Sequence, residues 1–132
     1  MILNFQQRFV PYILEGSKTH TIRAPRKHEP HVGEICHCFT GLRRKGAKLL
    51  GRWPCVKVER ITIAWVRNGP RRPAEIEVAI NGQRLEADEL NALAWRDGFR
   101  EGPRDQAFER MMAYWDGQLP FVGHVIHWRV DG

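Results

Sequence analysis

Six consecutive residues, Lys18-Thr19-His20-Thr21-Ile22-Arg23, carry an amine, two hydroxyls, an imidazole and a guanidinium. These groups can bind an anionic ligand or take part in acid–base chemistry. A solvated loop has no need of so dense a set, and a buried strand tolerates it only where each polar group finds a partner. A carboxylate to match is Asp97. Leu90, Leu93, Ala94 and Asp97 are spaced i, i+3, i+4, i+7, so on a helix over Ala87–Asp97 the carboxylate projects from the face that should be buried. An aspartate at a helix C-terminus also opposes the helix dipole, so a cation such as Lys18 or Arg23 should compensate it. The opposing expectation is that Asp97 sits in a frayed last turn and turns to solvent.

The elements around these residues must position them. Residues from about Arg8 to Glu15 read as a short helix, with Pro11 in its first turn and Gly16 after its last. Thr19–Arg23 is β-branched and strand-like. Lys18 and Thr21, three apart, would point to opposite faces of a regular strand. A shared site therefore requires Lys18 to lie before the strand, in the turn after Gly16. Met1–Phe5 is a short strand, Ala24–Val32 a loop, Glu34–Phe39 a strand entered through Gly33, and Gly41–Leu50 a basic connection. Gly51–Ile63 is a long strand candidate. Val56 and Val58 fit one face and Ile61 and Ile63 the opposite parity, which predicts a bulge near Glu59-Arg60. Asn81-Gly82 between alternating runs predicts a hairpin over Ala74–Leu85. Helices are expected at Ala87–Asp97, stopped by Gly98, and at Pro103–Trp115, stopped by Gly117. The chain closes with a strand, Phe121–Val130. Short strands with segregated helices imply an α+β fold with a mostly antiparallel sheet, curved or closed into a small open barrel.

The 132 residues fit one domain over 1–132, with the region of about 67–85 as an extra hairpin. Net charge is +6 with a pI near 9.7, which favours an anionic partner, nucleic acid first. The excess clusters at Arg23, Arg26 and Lys27, at Arg43, Arg44, Lys45 and Lys48, and at Arg67, Arg71 and Arg72. No apolar run approaches the roughly 20 residues of a membrane helix. The first residues lack a basic segment and a long apolar core, so a cytoplasmic location is expected. Three cysteines do not make a disulfide framework. Cys36-His37-Cys38 with Cys55 lacks the usual zinc spacing, so the cysteines are expected in the core, with no metal and no cofactor.

The run Phe9-x-x-x-Ile13-Leu14-Glu15-Gly16-x-Lys18-Thr19-x-Thr21-Ile22-Arg23, followed by Gly33-Glu34 opening a strand, resembles the ASCH domain family. Leu90-x-x-Leu93-Ala94-x-x-Asp97-Gly98-Phe99 and Phe121-x-Gly123-x-Val125-Ile126-x-Trp128 resemble its second helix and closing strand. The resemblance implies a PUA-like β-barrel with flanking helices, a fold class associated with RNA binding. Some small members are amidohydrolases that deacetylate N4-acetylcytidine, while others are linked to RNA binding or cleavage. In the amidohydrolase branch the catalytic set is a lysine, a threonine and a glutamate. The first two match Lys18 and Thr21. The glutamate falls on Asp97, a carboxylate one methylene shorter, and this chain is longer by its 67–85 region.

On that resemblance the chemistry is acyl transfer. Thr21 attacks an amide carbonyl, Lys18 takes its proton, and Asp97 helps deliver a proton to the leaving amine. Lys18 must then be substantially neutral, through burial or through nearby charge on His20 and Arg23. A plain Lys18–Asp97 salt bridge would instead raise the lysine's pKa and argue against a base. The expected ligand is a nucleoside or single-stranded RNA, in a basic cleft lined by Lys18, Thr21, Arg23 and Asp97 with the Ala24–Val32 loop at its rim. Thr19, His20, Arg26, Lys27, Arg43, Arg44 and Lys48 are further contacts, and Trp95 is available to stack on a base or to cap the core edge. A non-catalytic RNA-binding module stays open beside the hydrolase. So does a ribonuclease using Lys18, His20 and Arg23 on phosphate. His124 and His127 are expected to be structural.

Overall fold

One long strand organises the molecule. In a computed structural model, which describes residues 1–130, β4 (Lys48–Val66) runs for 19 residues. Its first part pairs antiparallel with β3 (Ile35–Thr40). From Cys55 to Ile63 it pairs antiparallel with β7 (Phe121–Trp128), and from Ile61 to Val66 with β5 (Glu75–Ile80). β1 (Ile2–Phe5) adds in parallel to β3, β2 (His20–Arg23) antiparallel to β7, and the two-residue β6 (Gln83–Arg84) antiparallel to β5. The result is a seven-stranded, mostly antiparallel sheet. With helices α1 (Val10–Leu14), α2 (Ala87–Asp97) and α3 (Ala107–Tyr114), the fold is α+β, as expected. Among the described residues no ladder joins β1 to β2. Side chains span that gap instead: Arg23 Nη2 donates to the Asn4 carbonyl at 2.6 Å and Arg26 Nη2 to the Ile2 carbonyl at 2.8 Å.

The parity puzzle in β4 resolves differently from the expected bulge at Glu59-Arg60. The register against β7 shifts between Cys55 and Lys57, which places the extra residue at Val56. Cys55 and Val58 then lie opposite Trp128 and Ile126, while Ile61 and Ile63 lie opposite Gly123 and Phe121. The two apolar runs face opposite sides of the sheet, and both sides are covered. Val125 and Ile126, adjacent residues of β7, are each 0% exposed, although successive strand residues point to opposite faces. The buried apolar side chains of strands and helices form one cluster, which includes Cys36, Cys38 and Cys55. Burial raises the Cys36 and Cys38 thiols to about 12 each, so they act as small apolar side chains.

Other boundaries moved modestly. Lys48–Leu50 is strand and not connection, and the irregular pairing beside Phe39 accommodates it. The helix expected over Pro103–Trp115 opens with a 3-10 turn at Arg104–Gln106 and is α-helical only from Ala107 to Tyr114. The expected hairpin forms, with Asn81 at φ 51° and Gly82 at φ 81° as a two-residue turn requires. Its partner strand β6 is short, so β5 is held mainly by β4. α2 matches its predicted span. Glu86 and Glu89 form a reciprocal capping box at its start, and Gly98 ends it at φ 115°. A Cβ on Gly98 would lie 2.6 Å from the Phe9 ring, so only glycine lets the helix end so close to α1. That close approach carries Asp97 inward. Among the described residues no helix is long and apolar enough to cross a membrane.

Candidate functional site

Lys18 reaches the site from a turn, as its spacing from Thr21 demands. After α1, Gly16 takes φ 82°, and the Ser17 and Lys18 amides both donate to the Tyr12 carbonyl at 3.0 Å. Arg100, which the sequence reading did not single out, locks this turn from outside. Its guanidinium donates to Ser17 Oγ at 3.0 Å and to the Trp95 carbonyl at 2.8 Å, and it lies over the Tyr12 ring. The turn frees Lys18 from strand alternation, so its side chain and that of Thr21 line one cavity.

Asp97 meets Lys18 there. Lys18 Nζ donates to Asp97 Oδ1 at 2.8 Å, and both residues are buried, at 2% and 7% exposure. Asp97 therefore does not turn to solvent, and the compensating cation is Lys18. The ammonium also lies 5.1 Å from the Phe9 ring centroid and 5.8 Å from that of Phe5, within cation–π range. His20 Nε2 lies 3.2 Å from the same carboxylate oxygen, out of line for a hydrogen bond, so this buried nitrogen has no well-aligned partner.

The electrostatics follow from this burial. Desolvation lowers the Lys18 pKa and outweighs the opposing pull of Asp97; Arg23 and Arg100 lower it further. The salt bridge and the depressed lysine pKa, expected to conflict, thus coexist. Burial pushes the Asp97 carboxyl up, but the charge of Lys18 and the proximity of His20 hold it well below the usual carboxylate range. Burial also lowers His20, which favours a neutral imidazole and removes it as a source of positive charge on Lys18.

Thr21 and Arg23 complete the group. Arg23 Nε donates to Thr21 Oγ1 at 2.9 Å, and the guanidinium stacks 4.8 Å from the Phe5 ring centroid. Among the described residues Lys18 Nζ bonds Asp97 and not Thr21. The cavity measures about 380 Å³ and is lined by Lys18, Thr21, Arg23 and Asp97 together with Phe5, Phe9, Tyr114, Trp115 and Phe121. That size lies in the range of small-molecule sites, about 300–1,000 Å³. Asn4, Gln6 and Gln118 add amides to the lining. The aromatic wall was not foreseen, because these rings belong to four separate elements and read individually as core.

The remaining expected contacts scatter. Thr19 and His20 line a second cavity, of about 430 Å³, on the α2 side of the sheet, with Lys57, Glu59, Arg96 and His127. There His127 Nε2 lies 2.6 Å from Glu59 Oε1, so this histidine is paired with a carboxylate the sequence reading passed over. Arg26 and Lys27 line a third hollow with Met1, His28 and Glu34, so of the Ala24–Val32 loop only Ala24 borders the first cavity. Arg43, Arg44 and Lys48 are exposed on the β3–β4 connection and at the start of β4. That connection is tied to the first cavity by Leu42, whose amide donates to Asn4 Oδ1 at 3.2 Å. Trp95 borders neither of the first two cavities. It packs at the core edge beneath the guanidiniums of Arg100 and Arg104, the second of its two expected roles. Among the described residues no group of three metal-ligating side chains occurs.

Comparison with known proteins gave no match: no family model, no curated protein and no solved structure matches this chain.

Proposed function

We propose that the protein is an ASCH-type, PUA-like domain that binds a pyrimidine nucleoside or a single-stranded RNA base in the Lys18 cavity, and that it hydrolyses an amide on an acylated pyrimidine such as N4-acetylcytidine. The observation that carries this reading is the shared cavity: Lys18, Thr21 and Asp97, drawn from a turn, a strand and a helix end, meet in one aromatic-walled space with a desolvated lysine. An aromatic wall suits a flat base, and the lining amides suit its polar edge.

In the proposed reaction Thr21 Oγ attacks the amide carbonyl carbon and its proton passes to neutral Lys18. The tetrahedral intermediate collapses with cleavage of the C–N bond. The leaving amine takes a proton from the Lys18–Asp97 pair, and water then hydrolyses the acyl-threonine ester. Arg23 already donates to Thr21 Oγ1, which favours the developing alkoxide. Lys18 must turn from Asp97 towards Thr21 for the first step. Catalytic hydrogen bonds are often unformed before substrate binds.

A second reading is favoured by the 2.8 Å Lys18–Asp97 bond itself: a charged lysine held by aspartate, serving a site that binds without catalysis. Incubation of pure protein with N4-acetylcytidine, followed by chromatography of cytidine and acetate, separates the two. Hydrolysis by the wild type, lost in Thr21→Val and in Lys18→Met, supports the enzyme. No hydrolysis by the wild type or by Asp97→Glu, with retained cytidine or RNA binding, leaves the binding module.

A further inference from the structure

Beyond Ile63 the sheet loses β7, and β4 continues with β5 alone as a two-stranded arm. Three rungs project in this way, Ala64–Val66 against Glu75–Glu77, a length of about 10 Å at the usual strand rise. Trp65, opposite Ile76, is 61% exposed and the most exposed tryptophan described. The loop at the tip carries Arg67, Arg71 and Arg72, all exposed and, among the described residues, without an ion pair. The arm's carboxylates, Glu75 and Glu77, pair with Val66 and Ala64 and so lie on the face opposite Trp65. The arm therefore has an aromatic face free of acids beside three uncompensated guanidiniums.

We propose that this face is a second nucleic-acid contact, which stacks one base of single-stranded RNA on Trp65 while the tip arginines hold the flanking phosphates. An exposed indole next to unpaired arginines combines the stacking platform and the positive charge that single-strand binding uses. Addition of a protein strand to the open edge of β5 is disfavoured by the charges of Glu75 and Glu77 along that edge. The contact does not require the Lys18 cavity to be catalytic.

Fluorescence anisotropy with a labelled oligouridylate of about 12 nucleotides tests it, since single-strand sites span roughly 4–16 nucleotides. Trp65→Ala should weaken binding about tenfold, and Trp65→Phe should restore much of the loss. The triple variant Arg67→Gln/Arg71→Gln/Arg72→Gln should weaken binding and reduce the slope of log affinity against log salt by about two, at about 0.7 per neutralised phosphate. Trp65 is exposed, so its truncation leaves the core intact; an unchanged melting temperature checks this. Hydrolysis or binding of free N4-acetylcytidine should be the same in all these variants, which separates failure of the arm from failure of the cavity. Oligonucleotide affinities within twofold of wild type would overturn the proposal. So would absence of oligonucleotide binding by the wild type, or self-association of the wild type that Trp65→Ala abolishes.

Discussion

Two acid–base pairs, one in each of the first two cavities, make opposite use of similar geometry. Lys18 and Asp97 meet at 2.8 Å with side chains 3% and 10% exposed. His127 and Glu59 meet at 2.6 Å with side chains 26% and 14% exposed. The first pair is almost wholly buried, so each charge depends on the other and on rings and hydrogen bonds nearby. The second opens to a cavity shared with Lys57 and Arg96, and Lys57 Nζ lies 3.5 Å from Glu59 Oε2, a second cation for the same carboxylate. Removal of a partner should therefore be costly in one place and mild in the other.

The largest effect expected is from Asp97→Asn, which strands Lys18 in the core and should cost about 3 kcal/mol at neutral pH. Urea unfolding measures it. The loss should shrink towards pH 10, because Lys18 in the variant deprotonates more readily; a pH-independent loss would mean that Asp97 matters for shape and not for charge. Next, Lys18→Met/Asp97→Leu should recover most of that stability while abolishing any hydrolysis, since apolar replacement of a whole buried pair is often neutral or better. If the double variant is as unstable as Asp97→Asn, the two groups do not act as a pair. Glu59→Gln should cost only about 1 kcal/mol or less, because water and salt screen that pair. The smallest effect distinguishes the pairs by salt: 1 M NaCl, with a Debye length of about 3 Å, should weaken the Glu59 contribution and leave that of Asp97 nearly unchanged.

Below neutrality the pH dependence of the wild type has one sign. Asp97 is depressed below its ordinary carboxylate range, so the unfolded chain binds its proton first as pH falls, and the stability from the pair is lost from about pH 5 downward. His20 and His127 are depressed chiefly by burial, so below their ordinary value of 6.5 the unfolded chain again binds more protons and stability falls. Stability should therefore decline on acidification, beginning near pH 6.5 and steepening below about pH 5. Thermal melts between pH 7 and pH 3 check this, and Glu59→Gln should leave the lower-pH limb in place.

Much of the first pair was legible in the sequence. Leu90, Leu93 and Ala94 place Asp97 on the buried face of α2, and Gly16-Ser17 allows Lys18 to leave the strand alternation that would part it from Thr21. The second pair was not. His127 stands opposite Lys57 in the ladder and reaches Glu59 diagonally, a contact that depends on a register shifted by the bulge at Val56. Nothing in the local pattern marks that bulge, because Val56, Lys57, Val58 and Glu59 alternate apolar and charged as an unbroken strand would. Arg23 and Arg26 illustrate a different limit. Their charge suggested phosphate contacts, but each donates to a carbonyl of β1, and sequence does not disclose which backbone edge lacks a partner.

The ladder between β2 and β7 also governs when the site comes into being. Thr21 pairs with Ile126, and the Lys18–Asp97 bond spans 79 positions. Contacts so far apart in sequence close a large loop and tend to form late. During synthesis β1, β3 and β4 can assemble well before β7 has been made. Until β7 arrives, β2 has no strand partner among the described residues, and Lys18 in the turn before it, with His20 and Thr21, remains in water. A nascent chain therefore carries its charges hydrated for most of its synthesis and desolvates them in a late step. That step is the point at which a chaperone, or a ligand able to occupy the cavity, would have most influence on the yield of folded protein.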